Sequence, residues 1–546
     1  MSNEPRTRFN DAARRGGGSS TDAAMTVSPA LKALTAFVLV FATITEIRYL
    51  DQPLLEAHAF RQTQTALTAF WMMQDGWHLA YETPVAGYPW AIPFEFPLYQ
   101  ALAAAVAKAG GLSLDAVGRF LSYLFLLGCA WPATRIARQL ALPEQVVWVF
   151  CALLWSSPLY LFWGRSFMIE TAALFFACAA IPYALDLLGP APRWSAVTGV
   201  AVFGTAATLQ KATTGGPVIA ILACVWLAER LRRRTVSGFA IGQITKAMIG
   251  FGVPLLAGAA WTVYSDSVKG ANPLGSQLSA AALPFWNFGT LEQRLSLWTY
   301  VDVVWTRVFV PNAGGLLGVA LLVGVVVMPG MPRLRQMMLV ALALFLAPIL
   351  IFTNLHIVHD YYQTACALFL IAGLALAVGV WLPRIVRING ATPLVTCLLV
   401  VSNLLAFETG YAKTMRKQFL ADNRTLAVAK VLRENTPTNS GFVAFGNDWS
   451  SALAYYAQRK SFTVPAFFSN YDGAWKDPGR FLGPLRLGAI VTCPSSEAPT
   501  REQAEAVARS DSTWVPADAA DCRVLVRRNS ATAEILAKAV TPRSSP

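Results

Sequence analysis

The chain has 546 residues, of which 55% are hydrophobic and 14% are charged. Soluble proteins carry roughly a quarter charged residues, so this composition argues against a water-soluble globular protein and indicates a polytopic membrane protein. The net charge is +13, which in another chain would indicate nucleic-acid binding. Here the arginines cluster in short gaps between apolar runs, so membrane topology explains the positive charge better.

The apolar runs predict about eleven membrane-spanning helices after a disordered cytoplasmic tail at 1–28. The predicted segments are about 29–45, 118–138, 143–162, 168–187, 194–210, 214–231, 245–265, 312–330, 336–353, 361–382 and 391–408. With the N-terminus inside, the arginine-rich gaps are cytoplasmic and all four histidines face outside. The run 96–110 is predicted to be a shallow or re-entrant helix, because a true crossing there would reverse this arrangement.

The first external loop, 46–98, mixes titratable and aromatic residues more densely than the rest of the sequence. Its segment starting at His58 predicts an amphipathic helix in the membrane interface. In one interpretation this helix is an anchor whose polar face meets water. In the other, Arg61 binds a phosphate in bidentate fashion, and His58 carries or donates a proton.

Two acidic residues, Glu82 and Glu95, lie later in this loop, in a stretch rich in proline and aromatic residues. The prolines keep the stretch out of regular helix and sheet. Aromatic rings stack on sugar faces, and a carboxylate buried among them is suited to act as a general base. The same pattern is also typical of an aromatic belt at the lipid headgroups with solvated carboxylates.

Three further segments place polar residues at the outer ends of predicted membrane helices. Lys211 precedes a helix start, where unpaired N–H groups and an ammonium form an anion site; a lysine that merely extends to the interface is the alternative. The turn 163–170 contains Arg165, and the segment 356–362 contains two histidines and an aspartate. Each by itself is typical of an interfacial polar cap, but together they favour one external ring of charged residues.

The region 409–527 changes composition and predicts a small extracytoplasmic α/β domain, followed by a flexible tail at 528–546. Its strand-like runs are 442–445, 488–492 and 523–526. Asp448 follows the first of these runs and is either a helix N-cap or part of an acceptor-binding loop. Cys493 and Cys522 lie in this polar region, and in an oxidising compartment we expect them to form a disulfide.

The order of these motifs resembles the GT-C superfamily of glycosyltransferases, and within it the bacterial relatives of protein O-mannosyltransferase and of the lipid A aminoarabinose transferase. The motifs are the long first external loop, PFEFPLYQ before a shallow helix, WGRSFMIET and LQKATTG at the starts of two helices, and HDYYQ before a third. The resemblance covers about 29–410. It implies an all-α, GT-C-like membrane domain at 29–408, followed by the small α/β domain.

The resemblance also implies an inverting sugar transfer from a polyprenyl-phosphate donor, with a first-loop carboxylate as the base. Relatives often carry an Asp-Glu or Asp pair near the start of the first-loop helix, where this chain reads RQTQ. The base is then one of Asp51, Glu56, Glu82, Glu95 and His58, and we favour Glu95, then Glu82. The expected ligands of the donor phosphate are Arg61, Arg165, Lys211 and His359. The expected substrate contacts are Gln62, Tyr88, Trp90, Glu170, Asp360 and Tyr361.

The sequence therefore predicts an integral glycosyltransferase of the bacterial inner membrane that acts on a periplasmic glycan, lipid or protein. Membrane lipids are further expected partners, and nucleic acid is not expected. No cofactor is expected. The sequence contains no metal-ligand spacing, so it gives no reason to expect a divalent metal, but it does not exclude one. The alternatives are a transporter or flippase of a lipid-linked sugar, and a glycan polymerase or ligase that uses a lipid diphosphate donor.

Overall fold

The structure is a computed structural model that describes residues 27–189, 191–232, 241–417, 423–496 and 498–528. The part up to residue 417 is helical, and a small α/β unit follows it. The predicted tails at 1–28 and 528–546 lie outside the described residues, apart from residues 27, 28 and 528.

The first half of the membrane part contains eleven helices, of which α2 lies in the first loop and α3 directly follows it. In chain order they are α1 (Pro29–Arg48), α2 (Ala59–Asp75), α3 (Leu98–Gly110), α4 (Leu114–Gly128), α5 (Ala130–Gln139), α6 (Gln145–Ser156), α7 (Pro158–Phe162), α8 (Glu170–Leu187), α9 (Trp194–Gln210), α10 (Ala212–Arg232) and α11 (Ile241–Lys269). A short 3-10 turn, Trp163–Arg165, follows α7.

The second half is more broken, with short helices before and between the long ones. They are α12 (Pro284–Phe288), α13 (Leu291–Leu295), α14 (Leu297–Thr299), α15 (Val310–Ala313), α16 (Leu316–Val327), α17 (Pro332–Ile351), α18 (Thr353–Val358), α19 (Thr364–Leu376), α20 (Leu382–Ile385), α21 (Ala391–Thr409) and α22 (Tyr411–Lys417). Two π-helical segments, Tyr300–Phe309 and Ala377–Trp381, and two 3-10 segments, Gly275–Leu278 and Asp360–Gln363, complete this half.

Eight helices of the described chain are long and apolar enough to cross a membrane, or up to ten if each of two bent helix pairs is one span. The chain is therefore a multi-pass membrane protein, although the predicted count of eleven is too high. Helix α9 lies at the predicted position 194–210, but with 17 residues it is not among the eight. Helix α3 has 13 residues, or about 20 Å, and is too short to cross a bilayer, as predicted.

The two bent pairs have identifiable causes. Helices α6 and α7 meet at 60°, where the Ser157 side chain caps α7 and donates a hydrogen bond to Asn312 (2.5 Å). The second pair bends by 95° at Gly314 and Gly315, which both have positive φ angles (65° and 57°) that glycine adopts without strain.

The C-terminal unit is a five-stranded mixed sheet with three helices and a preceding helix. Its elements are α23 (Arg424–Asn435), β1 (Ser440–Phe445), α24 (Ala452–Ala457), β2 (Ser461–Val464), α25 (Tyr471–Lys476), β3 (Arg486–Thr492), α26 (Arg501–Ser510), β4 (Trp514–Ala519) and β5 (Cys522–Arg527). The strand order is β2-β1-β3-β5-β4, with β2, β1 and β3 parallel and the last two pairs antiparallel. The α/β fold and the disulfide Cys493–Cys522 are confirmed, whereas β2 and β4 were not predicted.

The first loop and the C-terminal unit share one hydrophobic core, to which Leu67 of α2 and Phe462 of β2 both belong. The loop also extends the sheet, because Ser461 N donates to Pro84 O (3.0 Å) and Thr463 N donates to Val85 O (2.9 Å). This docking fixes the C-terminal unit over one end of the helix bundle. We call this end the loop end, and the opposite end the arginine-rich end.

Candidate active site

Charged side chains from separate segments converge at the loop end, where α2, α8, α10 and α19 begin. We call this group the open cluster and define it as His58, Arg61, Glu95, Glu170, Lys211, His359, Asp360 and Tyr361. Of the two interpretations of α2, the one in which its polar face meets water does not hold, because Arg61, Gln64, Thr65 and Thr68 are each at most 8% exposed. The polar face of α2 therefore belongs to the interior of the site.

Arg61 and Glu95 form the centre of the open cluster. The distance from Arg61 Nη2 to Glu95 Oε1 is 2.5 Å, and Arg61 Nη1 donates to Gln64 Oε1 at 2.6 Å. Burial by itself would lower the pKa of Arg61, but the charges of Glu95 and Glu170 raise it above its ordinary value. The guanidinium is therefore always charged, while the Glu95 side chain keeps 23% of its surface exposed.

The main chain around Glu95 is held by hydrogen bonds that compensate for the lack of regular structure. The Tyr81 hydroxyl donates to Glu95 O (2.8 Å) and accepts from Phe94 N (2.7 Å). From α11, Trp261 Nε1 donates to Phe94 O (3.0 Å) and Ser265 Oγ donates to Pro93 O (2.7 Å). The carboxylate thus projects from a rigid segment, as an oriented base requires.

Lys211 and Glu170 form a second pair that is more deeply buried. Lys211 Nζ lies 2.5 Å from Glu170 Oε1, and 4.0 Å from the ring centroid of Tyr362 and 5.1 Å from that of Tyr361. Burial lowers the pKa of Lys211, and the adjacent Glu170 carboxylate partly offsets this effect. The ammonium therefore has one carboxylate partner and lies against two tyrosine rings.

Several buried donor groups surround these pairs without a hydrogen-bond partner in the described part of the chain. They are Gln64 Nε2, Gln210 Nε2, Thr213 Oγ1 and Thr214 Oγ1. Gln210 Oε1 is used, since it accepts from Tyr99 N at 3.0 Å, so its amide group is oriented. Buried unpaired donors next to cations are what an anionic ligand would satisfy.

The histidines of the cluster form its more exposed edge. His58 Nε2 lies 3.1 Å from Asp360 Oδ1, and the rings of His58 and His359 are 4.9 Å apart. The Tyr411 hydroxyl donates to the other oxygen of Asp360 at 3.2 Å. Burial, together with the charge of His58, lowers the pKa of His359 to about 4, so His359 is neutral at physiological pH.

Arg165, expected to bind the donor phosphate, lies in a different group of charges. We call this group the sealed cluster and define it as Glu46, Glu56, Arg119 and Arg165. Arg165 Nε lies 3.0 Å from Glu46 Oε2, and both arginines contact Glu56 Oε1, at 2.6 Å from Arg119 and 3.4 Å from Arg165. The two arginines also donate to main-chain carbonyls of the turn after α1, namely those of Tyr49, Leu50, Gln52 and Pro53.

The sealed cluster supports the entry into α2 and has no side chain that is more than 3% exposed. Burial would raise the pKa of Glu56, but Arg119 and Arg165 lower it below its ordinary value. Gln62 lies beside this cluster and accepts from Phe167 N at 3.4 Å. Arg165 and Gln62 are therefore not brought to the open cluster.

Glu82, Tyr88 and Trp90 also lie apart from the open cluster, at the contact between the first loop and the C-terminal unit. Glu82 is ion-paired with Lys460, whose ammonium lies 5.9 Å from the Trp90 ring centroid. Tyr88 N donates to Phe481 O at 2.8 Å, and the Tyr88 ring is 6.0 Å from that of Trp90. The structure therefore brings Glu95, but not Glu82, to the cations of the site.

Sequence reasoning missed the roles of Glu46, Glu56 and Arg119. A signal was present, because Arg119 lies inside the predicted membrane segment 118–138 at the end away from Arg135 and Arg138, and charges within membrane segments are paired or functional. No role was predicted for Trp449, which follows Asp448 in the C-terminal unit, yet its ring lies 5.9 Å from those of Phe60 and Phe94.

No group of three or more His, Cys, Asp or Glu side chains in the described residues is arranged to hold a metal ion. A cavity of about 670 Å³ lies at the arginine-rich end, bordered by Glu229, Arg232 and Arg333 and otherwise lined mainly by apolar side chains. Helix α10 separates its mouth from Lys211 by about 30 Å. This cavity is therefore distinct from the open cluster.

The fold is similar to that of ArnT from Cupriavidus metallidurans bound to undecaprenyl phosphate, with a TM-score of 0.63 and 13% identity over 91% of this chain and 99% of that chain. It is also similar to the arabinofuranosyltransferase AftD from Mycobacteria (TM-score 0.51, 12% identity, 91% of this chain, 40% of that chain). A third similar structure is the Archaeoglobus fulgidus oligosaccharyltransferase in complex with Zn and sulfate (TM-score 0.50, 12% identity, 84% of this chain, 68% of that chain).

No protein-family model matches the sequence, and no curated protein matches it. The three similar structures are GT-C glycosyltransferases, and the coverage of ArnT extends over nearly its full length. At these identities the similarity concerns the fold, and it agrees with the resemblance of the sequence motifs. The chain therefore has the GT-C fold.

Proposed function

We propose that this chain is a membrane glycosyltransferase that moves a sugar from a polyprenyl-phosphate donor to an acceptor at the loop end, on the outer face of the bacterial inner membrane. The observation that carries the proposal is the open cluster, in which two buried cations, Arg61 and Lys211, each contact a carboxylate. The similar ArnT structure is bound to undecaprenyl phosphate, which supports a lipid phosphate as the ligand.

The donor phosphate would bind by exchange of ion-pair partners. A phosphate that contacts Arg61 competes with Glu95, which is 23% exposed. A phosphate that contacts Lys211 would share its ammonium, which has three N–H donors, with Glu170, because a carboxylate that is only 2% exposed is not left without a cation. Gln64 and Gln210 each have an amide donor for the same anion, and neutral His359 can add a hydrogen bond without a charge. Glu95 is released by this exchange.

The released Glu95 carboxylate is our candidate for the general base. It would take the proton of an acceptor hydroxyl while that oxygen attacks the anomeric carbon of the donor sugar. The bond from this carbon to the phosphate oxygen breaks on the opposite face, so the configuration inverts, and the electron pair leaves with polyprenyl phosphate. Arg61 and Lys211 would stabilise the charge that develops on that phosphate.

The remaining predicted residues take different roles in this proposal. Asp360 lies beside His58 at the exposed edge, and the buried Tyr361 ring lies 5.0 Å from the His58 ring; both residues are candidates for contacts with the sugar. Arg165 and Gln62 support the loop before α2, and three residues dock the C-terminal unit, namely Glu82, Tyr88 and Trp90.

The test uses the purified full-length chain in lipid nanodiscs and a panel of undecaprenyl-phosphate sugars with a radiolabelled sugar. The wild-type chain should release undecaprenyl phosphate and transfer label to a cell-envelope extract from one of these donors. Lys211→Met should reduce transfer by about 10²–10³-fold, because it removes one cation from the leaving phosphate.

Lys108→Met is the matched control, since Lys108 lies at the end of α3, is exposed and donates to the Met73 carbonyl outside the open cluster. This variant should transfer sugar at the wild-type rate. Equal rates in Lys211→Met and wild type, or activity with lipid diphosphate donors alone, would contradict the proposed function.

A further inference from the structure

The loop 446–450 lies at a position in the C-terminal unit that is suited to ligand binding. It directly follows β1, which lies between the parallel strands β2 and β3. In open α/β sheets, ligands bind beyond the carboxyl ends of parallel strands, where connections run to opposite sides of the sheet. After β1 the chain forms β2 on one side of β1 in the sheet, and β3 then pairs with the other side of β1. The loop after β1 therefore lies where the strand order reverses, which is the position at which such ligands bind.

This loop carries an aromatic side chain to the open cluster. The Trp449 ring lies 5.9 Å from the Phe60 ring and 5.9 Å from the Phe94 ring. These two phenylalanines directly precede Arg61 and Glu95, whose side chains are paired at 2.5 Å. Trp449 is half-buried, so part of its ring is available to a ligand. The C-terminal unit thus contributes an aromatic surface to the candidate site.

The loop is held in place by contacts with Cys493, which directly follows β3. Gly446 has a φ angle of +81°, and a Cβ at this position would collide with the Cys493 carbonyl. Asn447 Nδ2 donates to Cys493 Sγ at 3.3 Å, and Cys493 is itself bonded to Cys522. Asp448 has a φ angle of +50°, which is uncommon for a residue other than glycine. The loop is therefore fixed, with the Asp448 side chain exposed.

We propose that Trp449 and Asp448 form the acceptor subsite and that the acceptor is a carbohydrate. The partly exposed indole would stack on the apolar face of a sugar ring, and the Asp448 carboxylate would accept hydrogen bonds from its hydroxyl groups. A phosphorylated lipid headgroup fits this position less well, because the exposed carboxylate repels a second anion. The inference rests on the proposed function in one respect, namely that the bound carbohydrate is the acceptor of the transferred sugar. Binding of a sugar at Trp449 can be measured without a donor.

The experiment measures binding of the labelled full-length chain in nanodiscs to an array of immobilised oligosaccharides, with a peptide array in parallel. The wild-type chain should bind a subset of the oligosaccharides. Trp449→Ala should weaken this binding about ten-fold, and Trp449→Phe, which retains a ring, should stay within about three-fold. Asp448→Asn should weaken it less than Trp449→Ala. The Kd for undecaprenyl phosphate, measured on the same samples, reports whether the donor site is intact.

Trp194→Ala is the matched control, because Trp194 is 58% exposed at the start of α9, at the arginine-rich end. It should bind the array like the wild-type chain. The inference is overturned if the wild-type chain binds no oligosaccharide, if it binds peptides alone, or if Trp449→Ala binds as tightly as wild type. Oligosaccharide binding that depends on Trp449, without turnover of any polyprenyl donor, would support this subsite while contradicting the proposed transfer reaction.

Discussion

The sealed cluster and the open cluster contain the same kinds of ion pair, but they differ in exposure and in their remaining partners. The open cluster has a partly exposed part, since Glu95 and Asp360 are 23% and 29% exposed, and a buried part, the Lys211–Glu170 pair at 3% and 2%. The four side chains of the sealed cluster are all at most 3% exposed, and its two arginines also bind main-chain carbonyls. Charges whose partners all belong to the fold hold structure, whereas a cluster that includes a partly exposed, exchangeable carboxylate can serve a ligand.

The two clusters are also connected through one short piece of chain. Glu56 of the sealed cluster lies five residues before Arg61, and the turn between α1 and α2 is held by Arg119 and Arg165. The position of Arg61 in the open cluster therefore depends on the sealed cluster. Changes in the open cluster should therefore affect the chemistry, and changes in the sealed cluster should affect folding.

The largest effect on chemistry is expected for Glu95→Gln in the open cluster. Loss of a general base should reduce sugar transfer by about 10²–10⁴-fold. Binding of undecaprenyl phosphate should be retained, because a neutral amide competes less for Arg61 than a carboxylate does. Transfer rates and Kd values for undecaprenyl phosphate, measured with the same preparation, check both parts.

Glu82→Gln is the comparison for this prediction, since Glu82 is paired with Lys460 at the docking contact. We expect it to keep transfer within about ten-fold of wild type, because its side chain does not reach the cations of the site. Near-normal transfer by Glu95→Gln would show that another group is the base.

The largest effect on stability is expected for Arg119→Met in the sealed cluster. Removal of one partner leaves Glu56 with a single arginine, and three main-chain carbonyls lose their donor. Breaking a buried ion pair in this way should lower the free energy of unfolding by about 3–5 kcal/mol. Denaturant unfolding of the purified protein in detergent micelles measures this change.

Arg138→Met, at an exposed position near the end of α5, is the control and should change stability by less than about 0.5 kcal/mol. A wild-type unfolding curve for Arg119→Met would mean that the sealed cluster does not hold the fold. The comparison between the two clusters would then lose its physical basis.

The smallest effect is a pH dependence of stability caused by His359. Its pKa is lowered to about 4 from an ordinary value of 6.5, so between these values the unfolded chain binds more protons than the folded chain. Stability should therefore fall as the pH decreases from 6.5 to 4, by at most about 1.4 kcal/mol per pH unit. His359→Gln should reduce this slope in unfolding curves recorded at pH 4–7, and the part that remains is expected from His356, whose pKa burial lowers to about 3. An unchanged slope in the variant would assign the pH dependence to other groups.

Much of the membrane part could be predicted because its signals are local. Apolar runs of membrane length, such as 391–408, need no knowledge of the rest of the chain, and α21 (Ala391–Thr409) lies where that run predicts it. The number of spans could not be predicted equally well. A bend such as the 95° break at Gly314 and Gly315 divides one possible span into two shorter helices, so the number of spans depends on whether the bent pair is counted as one.

The site was predicted in part, and the errors are instructive. Arg165 and Lys211 have similar sequence contexts, since each lies in a turn before a long helix at the same end of the bundle. Lys211 reaches the open cluster, whereas Arg165 turns toward Glu46 and Glu56. No local pattern separates these two outcomes, because the partners are distant in sequence, 119 and 109 residues away for Arg165 and 41 residues away for Lys211.

The sequence by itself determined that this is a membrane protein, roughly where its helices lie, that an α/β unit follows them, and which two cysteines form its disulfide. These features depend on composition and on the spacing of nearby residues. Tertiary structure alone decided which charges share a cluster, that Glu95 and not Glu82 meets the cations, and that Trp449 reaches the site. The physical reason is that an ion pair depends on distance in space, and partners such as His58 and Asp360 are separated by 302 residues in the chain.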